Sequence, residues 1–137
     1  MSLYLLDTNA VSALINQPEG IVAQRAGLHP QGDLCTSVIV VAELRYGAAK
    51  RRSPALVNRM ERTLDGLPAV PFESPAEHQY AELRVHLERA GTPISYFDML
   101  IAAHALSLGC ILVTDNEREF RRVPGLTVEN WQRHAAP

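Results

Sequence analysis

The strongest constraint on this chain is a short apolar run that stops abruptly at an acid, and it occurs twice. Leu3-Tyr4-Leu5-Leu6 ends at Asp7, and Cys110-Ile111-Leu112-Val113 ends at Thr114-Asp115. Apolar runs of this length without polar alternation read as strands buried on both faces, the pattern of a parallel sheet covered by helices. Helix-length segments separate them. Val11, Leu14 and Ile15 follow Thr8 and Asn9 at helical spacing, with Thr8 and Asn9 as N-cap candidates and Pro18 as the stop. A short helix is expected from Glu19 to about Leu28, then a turn over His29-Pro30-Gln31-Gly32. Leu34-Cys35-Thr36 is another strand candidate. From Val38 to about Arg51 the apolar positions Val40, Val41, Leu44 and Ala48 predict a helix rather than a strand.

Pro54 opens a helix to Leu64, closed by Asp65-Gly66. Ala69-Val70-Pro71-Phe72 is a weak strand that Pro71 confines to an edge. Ser74-Pro75-Ala76-Glu77 predicts a capped helix start with Pro75 at the first helical position. Tyr80, Leu83 and Leu87 form that helix's buried face, and Gly91-Thr92-Pro93 ends it. A further helix runs from near Tyr96 to Gly109. A short helix holding Phe120, a last strand at Leu126-Thr127-Val128 and a flexible tail over residues 133–137 complete the reading. Strands alternating with helices predict the α/β class, a sandwich with a central, largely parallel sheet flanked by helices, and ligands gather beyond the carboxyl ends of such strands.

The chain has 137 residues, of which 47% are hydrophobic. That is the material of a single domain spanning residues 1–137. No apolar run is long enough for a membrane span, and Asp7 interrupts any signal-peptide core, which predicts a cytoplasmic protein with no membrane contact. A formal net charge of -2 excludes coating nucleic acid by bulk charge and leaves room for a local basic rim. Cys35 and Cys110 read as buried small hydrophobes. His29, His78, His86, His104 and His134 are scattered without zinc-ligand spacing, and His104 reads as a packed histidine. No nucleophile elbow, P-loop or dinucleotide fingerprint is present. A phosphate-transferring D-x-D motif would need an acid where Asn9 stands. A receiver-type site would need a lysine after a late strand, and Lys50, inside a helix, is the one lysine.

The acids are therefore the informative residues. Asp33 and Asp65 adjoin glycines and belong to turns. Asp7 and Asp115 fall at the carboxyl ends of strands, Asp98 in the first turn of an apolar helix, and Glu43 inside an apolar helical run. Singly, each has an ordinary explanation: Asp98 complementing a helix dipole, Asp115 capping a helix, Glu43 lying at a helix edge. Together they fit one acidic pocket. Clustered carboxylates repel unless a cation neutralises them, and oxygen-only ligands suit Mg²⁺ or Mn²⁺. Such sites serve phosphoryl chemistry by activating water and shielding charge on phosphorus. Lys50-Arg51-Arg52 and Arg118, Arg121 and Arg122 are candidates to hold phosphates, with solvated helix ends as the alternative.

The blocks LYLLDTNAVSALI, SVIVVAELRYGA and PISYFDMLIAAHALSLGCILVTDNEREFRRVPGLTVENW, in this order, resemble the PIN-domain ribonuclease toxins of the VapC type. The resemblance runs from about Leu3 to Trp131. It implies a compact PIN-like fold, cleavage of RNA dependent on Mg²⁺ or Mn²⁺, a homodimer, and a cognate VapB antitoxin that covers the active site and alone contacts DNA. Residue by residue, it places the catalytic and metal-binding acids at Asp7, Glu43 and Asp98. At the fourth position Thr114 is followed by Asp115 and Asn116, so Asp115 is a ligand, an outer support, or a bystander with Asn116 facing the site. Thr8, Asn9, Ser37, Thr114 and Asn116 are expected to orient the carboxylates. Tyr96 and Phe97 stand where a small residue is usual before the third acid, which narrows the expected cleft. The alternative is a non-catalytic co-repressor module on the same fold, whose acids only grip a partner's arginines; a DNA nuclease is a third possibility.

Overall fold

The structure is a computed structural model that describes residues 2–133, so the expected tail from His134 to Pro137 lies outside the described residues. Strand β1 (Tyr4–Leu6) occupies the centre of a five-stranded sheet. It pairs in parallel with β2 (Leu34–Ser37) on one side and β4 (Ile111–Val113) on the other, setting Leu5 opposite both Cys35 and Leu112. The edges are β3 (Ala69–Val70) beside β2 and β5 (Val128–Glu129) beside β4, again parallel. Leu5, Leu6 and Leu112 are fully buried. Cover on both faces is why these strands read as unbroken apolar runs.

Seven α-helices flank the sheet among the described residues: α1 (Thr8–Asn16), α2 (Ile21–Ala26), α3 (Val38–Arg51), α4 (Pro54–Asp65), α5 (Ala76–Ala90), α6 (Tyr96–Leu108) and α7 (Glu117–Phe120). Helix α1 packs against α2, α3 and α4, α5 packs along α6, and α6 meets α3. Ala102, Ala103 and Ala105 are buried on α6, and their small side chains let that helix lie close to its neighbours. Gly91 and Gly109 end α5 and α6 in the left-handed region, at φ 69° and 67°. Both cysteines are buried and free. The sheet order β3-β2-β1-β4-β5 means the chain builds outward on one side of β1 and then returns to the other. This creates a switch point between β1 and β4, and the crevice beyond their carboxyl ends is the natural place for a ligand.

Four local expectations need correction. The N-cap of α1 is Asp7, not Thr8 or Asn9: its Oδ1 accepts from the Ala10 N–H at 2.9 Å. Pro75 sits at the cap position of α5 rather than inside it, because the Ser74 hydroxyl donates to Glu77 Oε1 at 2.6 Å instead of accepting a backbone N–H. The last strand lies at Val128–Glu129, since only there does the backbone come opposite Leu112 and Val113; Leu126 packs against the core instead. Arg133, placed in the expected tail, pairs with Glu117.

Leu5→Ala would leave a cavity in the central strand. It should destabilise the protein by about 2–5 kcal/mol, read as a lowered urea midpoint with an unchanged slope.

Candidate active site

Asp7, Asp98 and Asp115 are delivered by the ends of elements, and Glu43 from within α3. Asp7 follows the last residue of β1, and its backbone N–H donates to the Val113 carbonyl, which fixes it against β4. Its carboxylate is buried, 4% exposed, and caps α1 through Ala10. Asp98 lies in the first turn of α6 and is half-buried; Ser95 caps that helix by accepting from the Asp98 N–H at 3.1 Å. Glu43 is half-buried on α3 and accepts a 2.8 Å hydrogen bond from the Thr8 hydroxyl. Asp115 follows β4 across Thr114, is exposed, and accepts from Asn9 Nδ2 at 2.9 Å.

Electrostatics ties these groups into one site. Burial pushes the Asp7 carboxyl up to about 7; the Thr114 hydroxyl and Ala10 N–H pull it down, and the charges of Asp115 and Asp98 push it further up. The Asp98 carboxyl is raised by burial and then by the charges of Glu119 and Glu43, against the Ser95 hydrogen bond. Asp7, Asp98, Asp115, Glu43 and Glu119 thus share one field at the carboxyl edge of the sheet. Glu119 was not singled out from the sequence. It sits in the charged tetrapeptide Glu117–Phe120, where an acid looks like ordinary helix surface, and its one signal is its place just beyond a strand end.

The polar residues expected to support the acids divide. Thr8 holds Glu43, Asn9 holds Asp115, and Thr114 faces Asp7. The Thr114 Oγ1 also accepts from the Asn116 N–H at 2.9 Å, and Asn116 takes the cap position of α7 without a side-chain bond, the position that Asp115 could have filled. Ser37 is different. Its hydroxyl accepts from the Ile39 N–H and lies 2.7 Å from His104 Nδ1, so it orients no carboxylate. His104 is 1% exposed, and burial holds the ring below its usual pKa against the Pro71 carbonyl. This buried contact braces α3, which carries Glu43, against α6, which carries Asp98.

Of the expected phosphate-binding cations, Arg51 lines a cavity of about 200 Å³ together with Thr8 and Glu43. Lys50 lies over the Tyr46 ring, Arg121 pairs with Glu117, and Arg122 donates to the Pro93 carbonyl. Those three hold local structure. Tyr96 and Phe97 are exposed, and the Arg84 guanidinium lies 4.6 Å from the Tyr96 ring centre.

The donor set is all carboxylate, without thiol or imidazole, which suits a hard divalent cation. Among the described residues no three acidic, histidine or cysteine side chains form a closed metal-holding group. The arrangement is an open rim, suited to an ion that keeps several waters and is gripped by one or two carboxylates and a substrate phosphate.

The PIN domain family model matches residues 4–126. The chain is 36% identical over 132 residues to the tRNA(fMet)-specific endonuclease VapC of Shigella flexneri, covering 96% of this chain and 99% of that protein. Its fold is similar to that of VapBC2 from Rickettsia felis bound to a promoter DNA fragment, with a TM-score of 0.87 and 34% identity over 94% of this chain and 98% of that one. The similarity to the DNA-bound VapBC of Salmonella typhimurium has a TM-score of 0.86 at 34% identity, over 96% and 99% of the two chains.

The raised carboxyl of Asp7 makes stability depend on pH. Between its ordinary value of 3.8 and about 7 the native state holds a proton that the unfolded chain has released. Stability of the ion-free protein therefore falls as pH rises through that window, the reverse of an ordinary ion-paired aspartate. In a chelator, lowering the pH from 8 to 5 should raise the melting temperature of wild type relative to that of Asp7→Asn, which keeps the cap, since asparagine caps helices as well as aspartate does. Buried His104, held below its usual pKa, acts in the opposite direction in both proteins and cancels in the comparison.

Proposed function

The chain belongs to the PIN-domain family, and from that membership we propose that it is the toxin of a VapC-type toxin–antitoxin pair, a divalent-metal-dependent endoribonuclease built from one such domain. The observation that carries this reading is the buried Asp7 carboxylate facing Asp98 and Asp115 at the switch point of the sheet, a concentration of negative charge that calls for a cation. Asp7 and Asp98 are the direct ligands. Glu43, steadied by Thr8, holds the ion through water or orients the attacking water. Asp115, held by Asn9, completes the rim. When bound, Mg²⁺ or Mn²⁺ activates water and offsets the charge that develops on phosphorus during cleavage of an RNA phosphodiester. Arg51, beside Glu43, is the best-placed group to meet a neighbouring phosphate.

The partner in this reading is a VapB-type antitoxin. Ile15, Leu44, Leu56 and Met60 line the cavity between α1, α3 and α4 that opens beside Glu43, which suits the apolar face of a helix. A bidentate arginine from the same partner would answer the charge of Asp7 or Asp98 in place of the ion. A homodimer, DNA contact only through the antitoxin and a cytoplasmic location belong to the same reading. No described helix is long and apolar enough to cross a membrane.

Freed of its partner, the purified chain should cut RNA in Mg²⁺ or Mn²⁺, stop in EDTA, and leave single-stranded DNA intact. Asp7→Asn, Glu43→Gln and Asp98→Asn keep side-chain volume. Each should cost activity at least about a hundredfold, on the scale of losing one preorganised electrostatic group. Their melting temperatures should equal or exceed wild type as repulsion is relieved. Asp33→Asn and Asp65→Asn should leave activity unchanged, and the size of the loss in Asp115→Asn assigns the fourth position. Mn²⁺ at about 100 times Kd should stabilise wild type by roughly 2.7 kcal/mol, and Asp98→Asn by less. Loss of fold and activity together in all three acid variants would make these acids structural and end the proposal.

A further inference from the structure

A second cleft adjoins the acids on the Asp115 side of α1 and shares Ser12 and Asn16 with the cavity beside Glu43. Its volume is about 440 Å³, within the range of small-ligand sites, and it lies between α1, the start of α2 and Gln132. Asn9, Ser12 and Asn16 line it from one stripe of α1, at i, i+3 and i+7. Gln17 and Gln132 add two more carboxamides, while Ile21 and Val22 supply apolar surface. The stripe is unusual for a solvated helix face: α1 has the sequence TNAVSALIN and carries no charged residue. Its polar groups are neutral amides and a hydroxyl, which donate and accept without carrying charge.

We propose that this cleft is a nucleobase pocket that seats the base of a nucleotide flanking the scissile phosphate and discriminates among bases. The inference rests on the ribonuclease reading and adds a recognition site to it. Its position follows from the hydrogen bonds at its mouth. Asn9 Nδ2 donates to Asp115 Oδ1 at 2.9 Å, and Gln132 Nε2 reaches the Asn9 carbonyl at 3.4 Å, so the cleft opens directly onto the acidic rim. Its chemistry excludes a phosphate subsite: no lysine or arginine lines it, and the Asp115 carboxylate stands at its entrance. An uncharged ring with several donors and acceptors fits it. Carboxamides offer a donor and an acceptor side by side, the pairing that reads base edges, and unstacked bases in single-stranded RNA present those edges. Asp115 can only accept, so the pocket favours a base that turns an exocyclic amino group or a ring N–H toward it.

The test is cleavage of a random-sequence RNA pool in Mn²⁺ by the full, partner-free chain, with the cut ends sequenced. Wild type should show a preference of about tenfold for one base over the others at one position flanking the cut, the scale of one good two-point contact. The double substitution Gln17→Ala with Gln132→Ala alters side chains outside the acidic rim and outside the cavity beside Glu43. It should bring that preference close to unity while leaving other positions and the stabilisation by Mn²⁺ unchanged. On an RNA carrying the best wild-type site, KM should rise with kcat within about threefold. An unaltered preference in the double variant, or a wild type with no base preference at any flanking position, overturns the proposal. So does an unaltered preference combined with a weakened hold on the antitoxin, which assigns the cleft to a protein partner. If wild type cuts no RNA at all, the ribonuclease reading itself falls and the pocket falls with it, an outcome distinct from cleavage without base preference.

Discussion

The Asp7 carboxylate ends the central strand and begins the first helix, and opposing forces meet on it. The Ala10 N–H and the positive end of α1 favour its charge, a cap of the kind worth about 1 kcal/mol. Burial and the neighbouring charges of Asp98 and Asp115 oppose it. The outcome is a carboxyl balanced near neutrality, whose charge state is set by whatever positive species lies closest. In the proposed function a proton, a divalent ion and a partner's guanidinium are alternative answers to the same imbalance. Pairing of β1 with β2 and β4 places this carboxylate beside the others, so the register of the sheet sets the electrostatics of the edge.

Rigid elements keep the remaining acids in range. Glu43 and Asp98 belong to different helices separated by more than fifty residues of chain, yet the Ser37–His104 contact ties those helices together in the dry interior. Side chains locked by packing hold a site more tightly than loops can. Helix α1 serves two sides of the edge at once. Thr8 reaches Glu43 on one side, while Asn9 reaches Asp115 on the other and begins the uncharged stripe of the second cleft.

Much of this was legible in the sequence because it is local. Apolar runs ending at Asp7 and Asp115, the helical spacing after Val38 and the stop at Gly109 all express short-range rules that the structure obeys. Asp7, Asp98 and Asp115 stood out by lying where such elements begin or end, and Glu43 as an acid inside an apolar helical run. What could not be read depends on partners distant along the chain. Ser37 looked like a support for carboxylates, but its neighbour is His104 on a later helix. Glu119 looked like one surface charge among several until α7 brought it near Asp98. The caps at Asp7 and Pro75 were misplaced by a residue or two, since an oxygen can choose between nearby donors and the sequence does not say which. In the same way the cleft lined by Asn16, Gln17 and Gln132 joins the two ends of the chain, which no local pattern announces.

Both outer strands of the sheet are only two residues long, and Pro68 and Pro71 bracket one of them. A proline has no N–H to offer, and so short an edge presents almost no ladder on which another chain could continue. Growth of the sheet from molecule to molecule, the usual route to fibrils and exchanged strands, is closed at both ends. Association is left to helix surfaces and to the acidic rim, where fit and charge decide what binds.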